Sequence, residues 1–375
     1  QKDCEFLNLL TPHAEPSAVE HIPEQISLIE RLIEGGNAYR ANDGSVYFKV
    51  DAFPEYGRLS RLADREITTS ATDRETADEY ERDTAADFVL WKVRRPEDGE
   101  NFWESPWGQG RPGWHIECSA MSMKVLGESF DLHSGGVDLI FPHHENEIAQ
   151  SECATGKTFA RHWFHIAHLM VEGKKMSKSL GNLYTLEDLF ELGYSAQEVR
   201  YVLLSGSYRQ PLNFTFDSMK ASRKAMSKLR DFATKFNFIP TTGNNLETEF
   251  GPFQPVQEAL LSDLSTPEAL GRCFSLVREL SEAYERGEYE GRQDAVSEVC
   301  RGFQATCDAF GLVVEPKKVD IEEIPADIEN LAQKRWNAKL SKDWAMADQL
   351  RNELLELGWV VKDGKEKFEL TRSSE

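Results

Sequence analysis

Long apolar runs are absent from this 375-residue sequence. None approaches the roughly 20 residues that a membrane-spanning helix needs, and no signal peptide heads the chain. Neither a membrane-embedded nor a secreted protein is expected. Closely spaced cysteines are also absent. The six cysteines (Cys4, Cys118, Cys153, Cys273, Cys300, Cys307) are widely scattered and form no CxxC pair. That excludes a secreted disulfide framework and points to a reducing cytoplasm. Positive charge is scarce, with 43 Lys and Arg against 64 Asp and Glu and a net charge of −21. Binding nucleic acid through overall charge is excluded, because phosphates need cationic partners. There is no internal repeat. The length leaves room for two or more domains with cores of their own.

The charge is unevenly spread. Residues 64–87 are acidic and rich in Thr, Ala and Asp, which predicts a solvated, mobile insertion. Residues 220–235 carry Lys220, Arg223, Lys224, Lys228, Arg230 and Lys235 against Asp231 alone. Met219, Met226, Leu229, Phe232, Ala233 and Phe236 recur at helical spacing in the same stretch. The expected helix has an apolar inner face and a basic outer one, which suits plain solvation as well as a phosphate contact.

Other elements follow from punctuation. Residues 18–35 read as a helix ending at Gly35-Gly36. Asn42-Asp-Gly44 between Ala38-Tyr-Arg40 and Ser45–Val50 reads as a hairpin turn. Ser129–Leu132 and Phe164–Val171 read as strands. From about 216 to 312 the pattern is helical, interrupted at 238–246 and 265–267. Two helices, 326–340 and 343–357, precede Gly358. A hairpin over Trp359–Leu370 turns at Asp363-Gly364.

Two motifs carry chemistry. In Phe141-Pro-His-His-Glu-Asn-Glu147, His143 and Glu147 are four residues apart and share one helix face. Pro142 suits the first turn of that helix. Cys118 stands upstream in Gly113-Trp-His-Ile-Glu-Cys118. Thiolate, imidazole and carboxylate are zinc ligands, and three of them leave a position open. His and Glu at this spacing also occur on ordinary helices, and a single cysteine is often a small buried hydrophobe. The second motif is Gly173-Lys-Lys-Met-Ser-Lys-Ser-Leu-Gly-Asn182. Its glycines permit a loop, and its lysines suit the charge that builds on departing pyrophosphate. A solvated basic turn is the plainer alternative.

Lys175-Met-Ser-Lys-Ser179 resembles the KMSKS signature of class I aminoacyl-tRNA synthetases. Together with Gly110–Met121, Asp131–Asp138 and Phe141–Gln150, it follows the order and spacing of the cysteinyl-tRNA synthetase family. The likeness runs from Leu7-Asn-Leu-Leu-Thr-Pro12 to the Lys342-Asp-Trp344 region. The resemblance implies an α/β fold with a Rossmann-type catalytic core, mostly its second half, interrupted by a mixed α/β insertion. A helical bundle and a small α+β C-terminal domain would follow. The implied parts are a remnant of the first half of the nucleotide fold (1–17), the insertion (18–110) and the second half with the metal ligands (111–172). The KMSKS and stem-contact region (173–215), the anticodon-region bundle (216–315) and a tRNA-binding domain (316–375) complete the chain.

The same resemblance implies roles. Cys118, His143 and Glu147 would hold one Zn²⁺ that recognises the substrate cysteine by its sulfur. Lys178 and Lys175 would act on the pyrophosphate of ATP, with Mg²⁺ accompanying the nucleotide. Gly135, Gly136 and Asp138 would approach the adenosine ribose, although a tight turn after a strand explains them too. Trp114 would wall the amino-acid pocket, or be core. His115, His133 and His144 would orient ligands or take the thiol proton, or be structural. The expected partners are tRNA(Cys), cysteine and ATP, and the expected form is a cytoplasmic monomer.

The sequence also departs from the family. Neither a HIGH-type motif nor the family's N-terminal cysteine ligand precedes Cys118, and the context of Cys4 does not fit that ligand. The chain alone is therefore expected not to form the adenylate. The segment Asp363–Leu370 lacks the family's usual ending. Three alternatives stand beside this reading. One is a ligase joining cysteine to an amino sugar. Another is a zinc hydrolase with Glu145 or Glu147 as general base. The third is a non-catalytic zinc- and RNA-binding remnant.

Overall fold

The computed structural model describes residues 2–62, 87–176, 180–241, 249–317, 325–364 and 368–372. The acidic insertion lies outside the described residues except for Asp87, and so does Lys178. The chain divides into two compact units, Gln1–Pro316 and Lys317–Glu375.

The first unit opens with helices α1 (Lys2–Phe6) and α2 (Ile22–Glu34). Ile22, Leu28, Ile29 and Leu32 make the buried stripe of α2, and Gly35 caps it. Strands β1 (Ala38–Arg40), β2 (Val46–Phe48), β3 (Phe88–Val93) and β4 (Gly110–Pro112) form an antiparallel sheet in that order. The expected hairpin turn joins β1 to β2, with Gly44 at φ 94°. Asp87 ties the base of the excursion between β2 and β3: its carboxylate accepts from Val50 N and Tyr39 Oη. Phe48 and Phe88 stack at 4.9 Å in the core between this sheet and the helices.

Next come α3 (Trp114–Leu126), β5 (Phe130–Gly136), α4 (Glu145–Thr155) and β6 (Ala160–Ile166). β5 and β6 pair in parallel, Phe130 opposite Ala160 and Gly136 opposite Ile166. A parallel pair joined through a helix is the building unit of a nucleotide-binding sheet. Strands β7 (Leu169–Val171) and β8 (Lys174–Lys175) follow, then helices α5 (Leu186–Glu191) and α6 (Ala196–Leu204) and strand β9 (Leu212–Phe214). Their sheet has the order β8-β7-β9. The single strand expected over 164–171 is broken. Ala167 N bonds to Tyr208 O and Leu212 N to His168 O, so β6 and β7 enter different sheets.

Helices α7 (Phe216–Lys235), α8 (Gln254–Leu261), α9 (Thr266–Glu285) and α10 (Gln293–Phe310) form a bundle. Thr215 and Ser218 make a reciprocal cap at the start of α7. The apolar face read from the sequence is buried, and Phe232 packs on Phe303 at 4.8 Å and on Phe236 at 4.7 Å. Each such ring contributes about 1.5–3 kcal/mol by leaving water.

The second unit contains α11 (Ala326–Leu340), α12 (Trp344–Glu356) and the hairpin β10 (Trp359–Asp363) with β11 (Phe368–Arg372). Asp343 caps α12 by accepting from Met346 N, and Gly358 leaves it at φ 78°. Among the described residues no helix is long and apolar enough to cross a membrane.

Candidate metal centre and active site

Helix α3 is capped by Gly113, where β3 runs too close for a side chain: a Cβ at Gly113 would meet Val89 O at 2.3 Å. Trp114, His115 and Cys118 project from the turns that follow. Facing them, a wide turn over Ile140–His144 leads into α4. Phe141 is extended (φ −139°, ψ 132°), as a residue before proline prefers, and its peptide bond to Pro142 is cis.

The ligand atoms of Cys118, His143 and Glu147 all lie within 4.8 Å of one another. His143 Nε2 is 2.7 Å from Glu147 Oε1, and His133 Nε2, on β5, is 2.8 Å from Glu147 Oε2. Neither approach has hydrogen-bond angles: both Glu147 oxygens and His133 Nε2 are buried without a hydrogen-bond partner. Polar atoms that lie close together yet make no hydrogen bond are the arrangement that the ligands of one cation show. His115 Nδ1 lies 2.8 Å from His143 Nδ1, which leaves Nε2 of His143 for the cluster.

The electrostatics suit a cation. Burial pushes the Cys118 thiol up to about 12, with Glu147 and Glu117 adding to the effect. Burial also drives Glu147 upward, but His133 and His143 outweigh it and bring the carboxyl down to about 2. A divalent, thiophilic ion would compensate the wholly buried carboxylate and lower the thiol at once. The donor set of sulfur, nitrogen and oxygen fits zinc.

Glu147 also belongs to a second grouping, with His133 and His144. His144 Nδ1 is 2.9 Å from His165 Nε2, and burial, more than its neighbours, pushes His144 down to about 4. The Trp163 ring packs on His133 at 4.8 Å and on His144 at 5.0 Å. Reading the sequence missed Trp163 and His165. Their one signal was the alternation along β6, which puts both on one face.

The other expected site residues are placed as follows. Trp114 is not core: it is 51% exposed, with its ring 4.2 Å from that of His143. Gly135 and Gly136 end β5, the edge where parallel sheets receive ligands. Their missing Cβ positions are filled by the protein itself. A Cβ at Gly135 would meet His144 Cε1 at 2.8 Å, and one at Gly136 would meet Asp138 Oδ1 at 2.3 Å. Lys175 is exposed on β8, in a different sheet from His133. Glu145 is not available as a general base. It is wholly buried and accepts backbone N–H groups from Gly57, Leu59 and Ser60. That removes one of the two bases named for a hydrolase.

Residues 1–224 match the family described as tRNA synthetases class I (C) catalytic domain, and residues 322–369 match the cysteinyl-tRNA ligase anticodon binding domain. The chain is 51% identical to the cysteine–tRNA ligase of Opitutus terrae, covering 98% of this chain and 77% of the relative. It is 43% identical to that of Chlamydia muridarum, covering 97% and 78%. The solved methionyl-tRNA synthetase of Mycobacterium tuberculosis, in complex with methionyl-adenylate, superposes with a TM-score of 0.50 at 16% identity. It covers 82% of this chain and 74% of that one, and shows a shared fold. With a catalytic-domain match over more than half its length and such relatives over nearly all of it, the chain belongs to the cysteine–tRNA ligases, class I synthetases that aminoacylate tRNA.

Proposed function

We propose that this protein selects cysteine through its sulfur at a zinc ion held by Cys118, His143 and Glu147. The family's reaction then joins the amino acid to AMP from ATP and passes it to tRNA(Cys); the residues of this chain supply its cysteine-selecting centre, in a monomer in the reducing cytoplasm. The observation that carries this reading is the gathering of three unlike donor atoms within 4.8 Å of one another. When bound there, zinc supplies a thiophilic position that a thiolate fills and a hydroxyl fills poorly, a basis for discriminating serine by about 10⁴ or more.

The protein's own groups do the rest. His115 holds His143 so that Nε2 faces the cluster. His133 Nε2 stands 2.8 Å from the second oxygen of Glu147, within reach of the same ion. Trp114 lies over the His143 ring at the surface and shields the sulfur from water. Lys175 and Lys178 meet the charge on departing pyrophosphate. Gly135, Gly136 and Asp138 take the adenosine side, and Mg²⁺ arrives with the phosphates. Neither step needs a covalent enzyme intermediate, since positioning and charge stabilisation suffice. Exposed Lys220, Lys224 and Lys228 on α7 supply local positive charge for tRNA on an acidic protein.

Metal analysis and X-ray absorption of the purified chain test this. One zinc per chain is expected, with one added Zn–S bond on free cysteine and none on serine. The variant Cys118→Ser should lose most of the zinc. A metal-free chain, or a metal shell that ignores cysteine, would end the proposal.

A further inference from the structure

Glu145 is a wholly buried carboxylate with no role in that chemistry. Its Oε1 accepts from Gly57 N at 2.9 Å and Leu59 N at 3.4 Å, and its Oε2 from Ser60 N at 2.8 Å. The next residue, Asn146, accepts the Tyr56 hydroxyl through Oδ1. The start of α4 therefore works on two faces. His143 and Glu147 look toward the metal cluster. Glu145 and Asn146, between them, grip the insertion loop 56–60.

The loop reaches back to the ligands through a chain of rings. Tyr56 lies edge-on to Phe141 at 6.4 Å and stacks with Phe88 at 6.5 Å. Phe88 lies edge-on to His115 at 6.0 Å, and His115 holds His143 through Nδ1. The path is closed, because the backbone from His143 to Glu145 returns to its start. Close-packed rings of this kind shift together rather than singly.

We propose that Glu145 is a positioning residue of the metal centre, resting on the zinc reading above. Its carboxylate docks loop 56–60 on α4, and the docked loop fixes the His115–His143 pair. Zinc binding and loop docking are then coupled, and the coupling is reciprocal. Only a carboxylate serves, because two acceptor oxygens meet three N–H groups. A glutamine would turn an NH₂ toward one of those donors and leave it buried and unpaired.

The experiment uses the full chain and zinc alone. Affinity is read by chelator competition, and loop docking by amide hydrogen exchange over residues 55–62, with and without zinc. In the unmodified protein zinc should slow exchange in that loop. Glu145→Gln should speed it and weaken zinc by about 10-fold or more, the range seen when groups supporting a ligand are lost. Tyr56→Phe should weaken zinc by a smaller factor. Arg272→Ala, which removes ion pairs to Glu258 and Glu268 in the helical bundle, should leave zinc affinity unchanged. A released loop with undiminished zinc affinity overturns the proposal, as does a loop whose exchange ignores zinc. If Glu145→Gln does not fold, Tyr56→Phe and the zinc response of the unmodified loop decide. Failure of the unmodified chain to take up zinc would refute the zinc reading itself, and this inference with it.

Discussion

At the scale of single residues, glycines report the packing around the cluster most sharply. Gly135 has no room for a methyl group: His144 Cε1 and Leu139 Cδ1 stand 2.8 and 2.9 Å from where its Cβ would be. Gly135→Ala should therefore displace His144, break its bond to His165 and destabilise the fold by about 1–3 kcal/mol. Denaturant midpoints would show it, and an unchanged midpoint would mean that His144 moves freely. Cys118, 25 residues before His143, joined the candidate cluster only through its residue type and the resemblance, whereas the nearness of His143 to Glu147 was legible beforehand because its signal is local: residue type plus an i,i+4 spacing. The pairing of Glu147 with His133 was not. It depends on the register of β5 against α4, which no local spacing encodes. Glu145 was misleading for a related reason. A carboxylate beside candidate metal ligands resembles a base until the donors of a loop 85–88 residues away are seen on it.

At the scale of elements, legibility tracked punctuation. Gly35 after α2, Asn-Asp-Gly between β1 and β2, and the apolar stripe of α7 each decide their element locally. The break between β6 and β7 was illegible because partners near 208–212 decide it. Charge pairing at α11 adds a pH dependence. Buried Arg335 donates through both terminal nitrogens to Asp363, and Lys339 approaches the same carboxylate at 2.9 Å. These cations, Arg335 foremost, hold the Asp363 carboxyl well below the usual carboxylate range. A depressed folded-state value contributes stability that is present above the unfolded value of about 3.9. That stability is lost as pH falls toward the folded value. Asp363→Asn should destabilise the second unit by about 1.5–3 kcal/mol at neutral pH, because it takes the charge from the carboxylate that Arg335 and Lys339 share. It should also flatten the acid limb below about pH 4. Indole resonances of Trp336 and Trp359, followed through denaturation at several pH values, report on this unit. An unchanged acid limb would assign the pH dependence elsewhere.

At the scale of the first unit, one side chain joins parts that the sequence keeps far apart. Arg200 on α6 donates to Phe310 O at 2.5 Å, Leu7 O at 2.6 Å and Asn8 O at 3.3 Å. Phe310 ends α10, where helix carbonyls lack partners and a cation suits the dipole. Gly311 follows at φ 62°, and a Cβ there would meet Arg200 Nη2 at 2.2 Å. Asn8 Nδ2 donates to Gly311 O, and Gln197 accepts from Val313 N. The inner face of α6, Val199 and Val202, packs in the cluster that holds Leu7, Met176 and Phe214. Arg200 thus ties that cluster to the bundle core. Charge-assisted bonds of this sort contribute about 1.5–3 kcal/mol each, so Arg200→Gln should lower stability by at least that amount. It should also split the calorimetric transition of the first unit, the bundle melting apart from the rest. Gly311→Ala should act through the same contact by forcing the guanidinium out. Residues that share one contact lose it only once. The double variant should therefore fall short of the summed losses by about 1 kcal/mol, and full additivity would show that the two act separately.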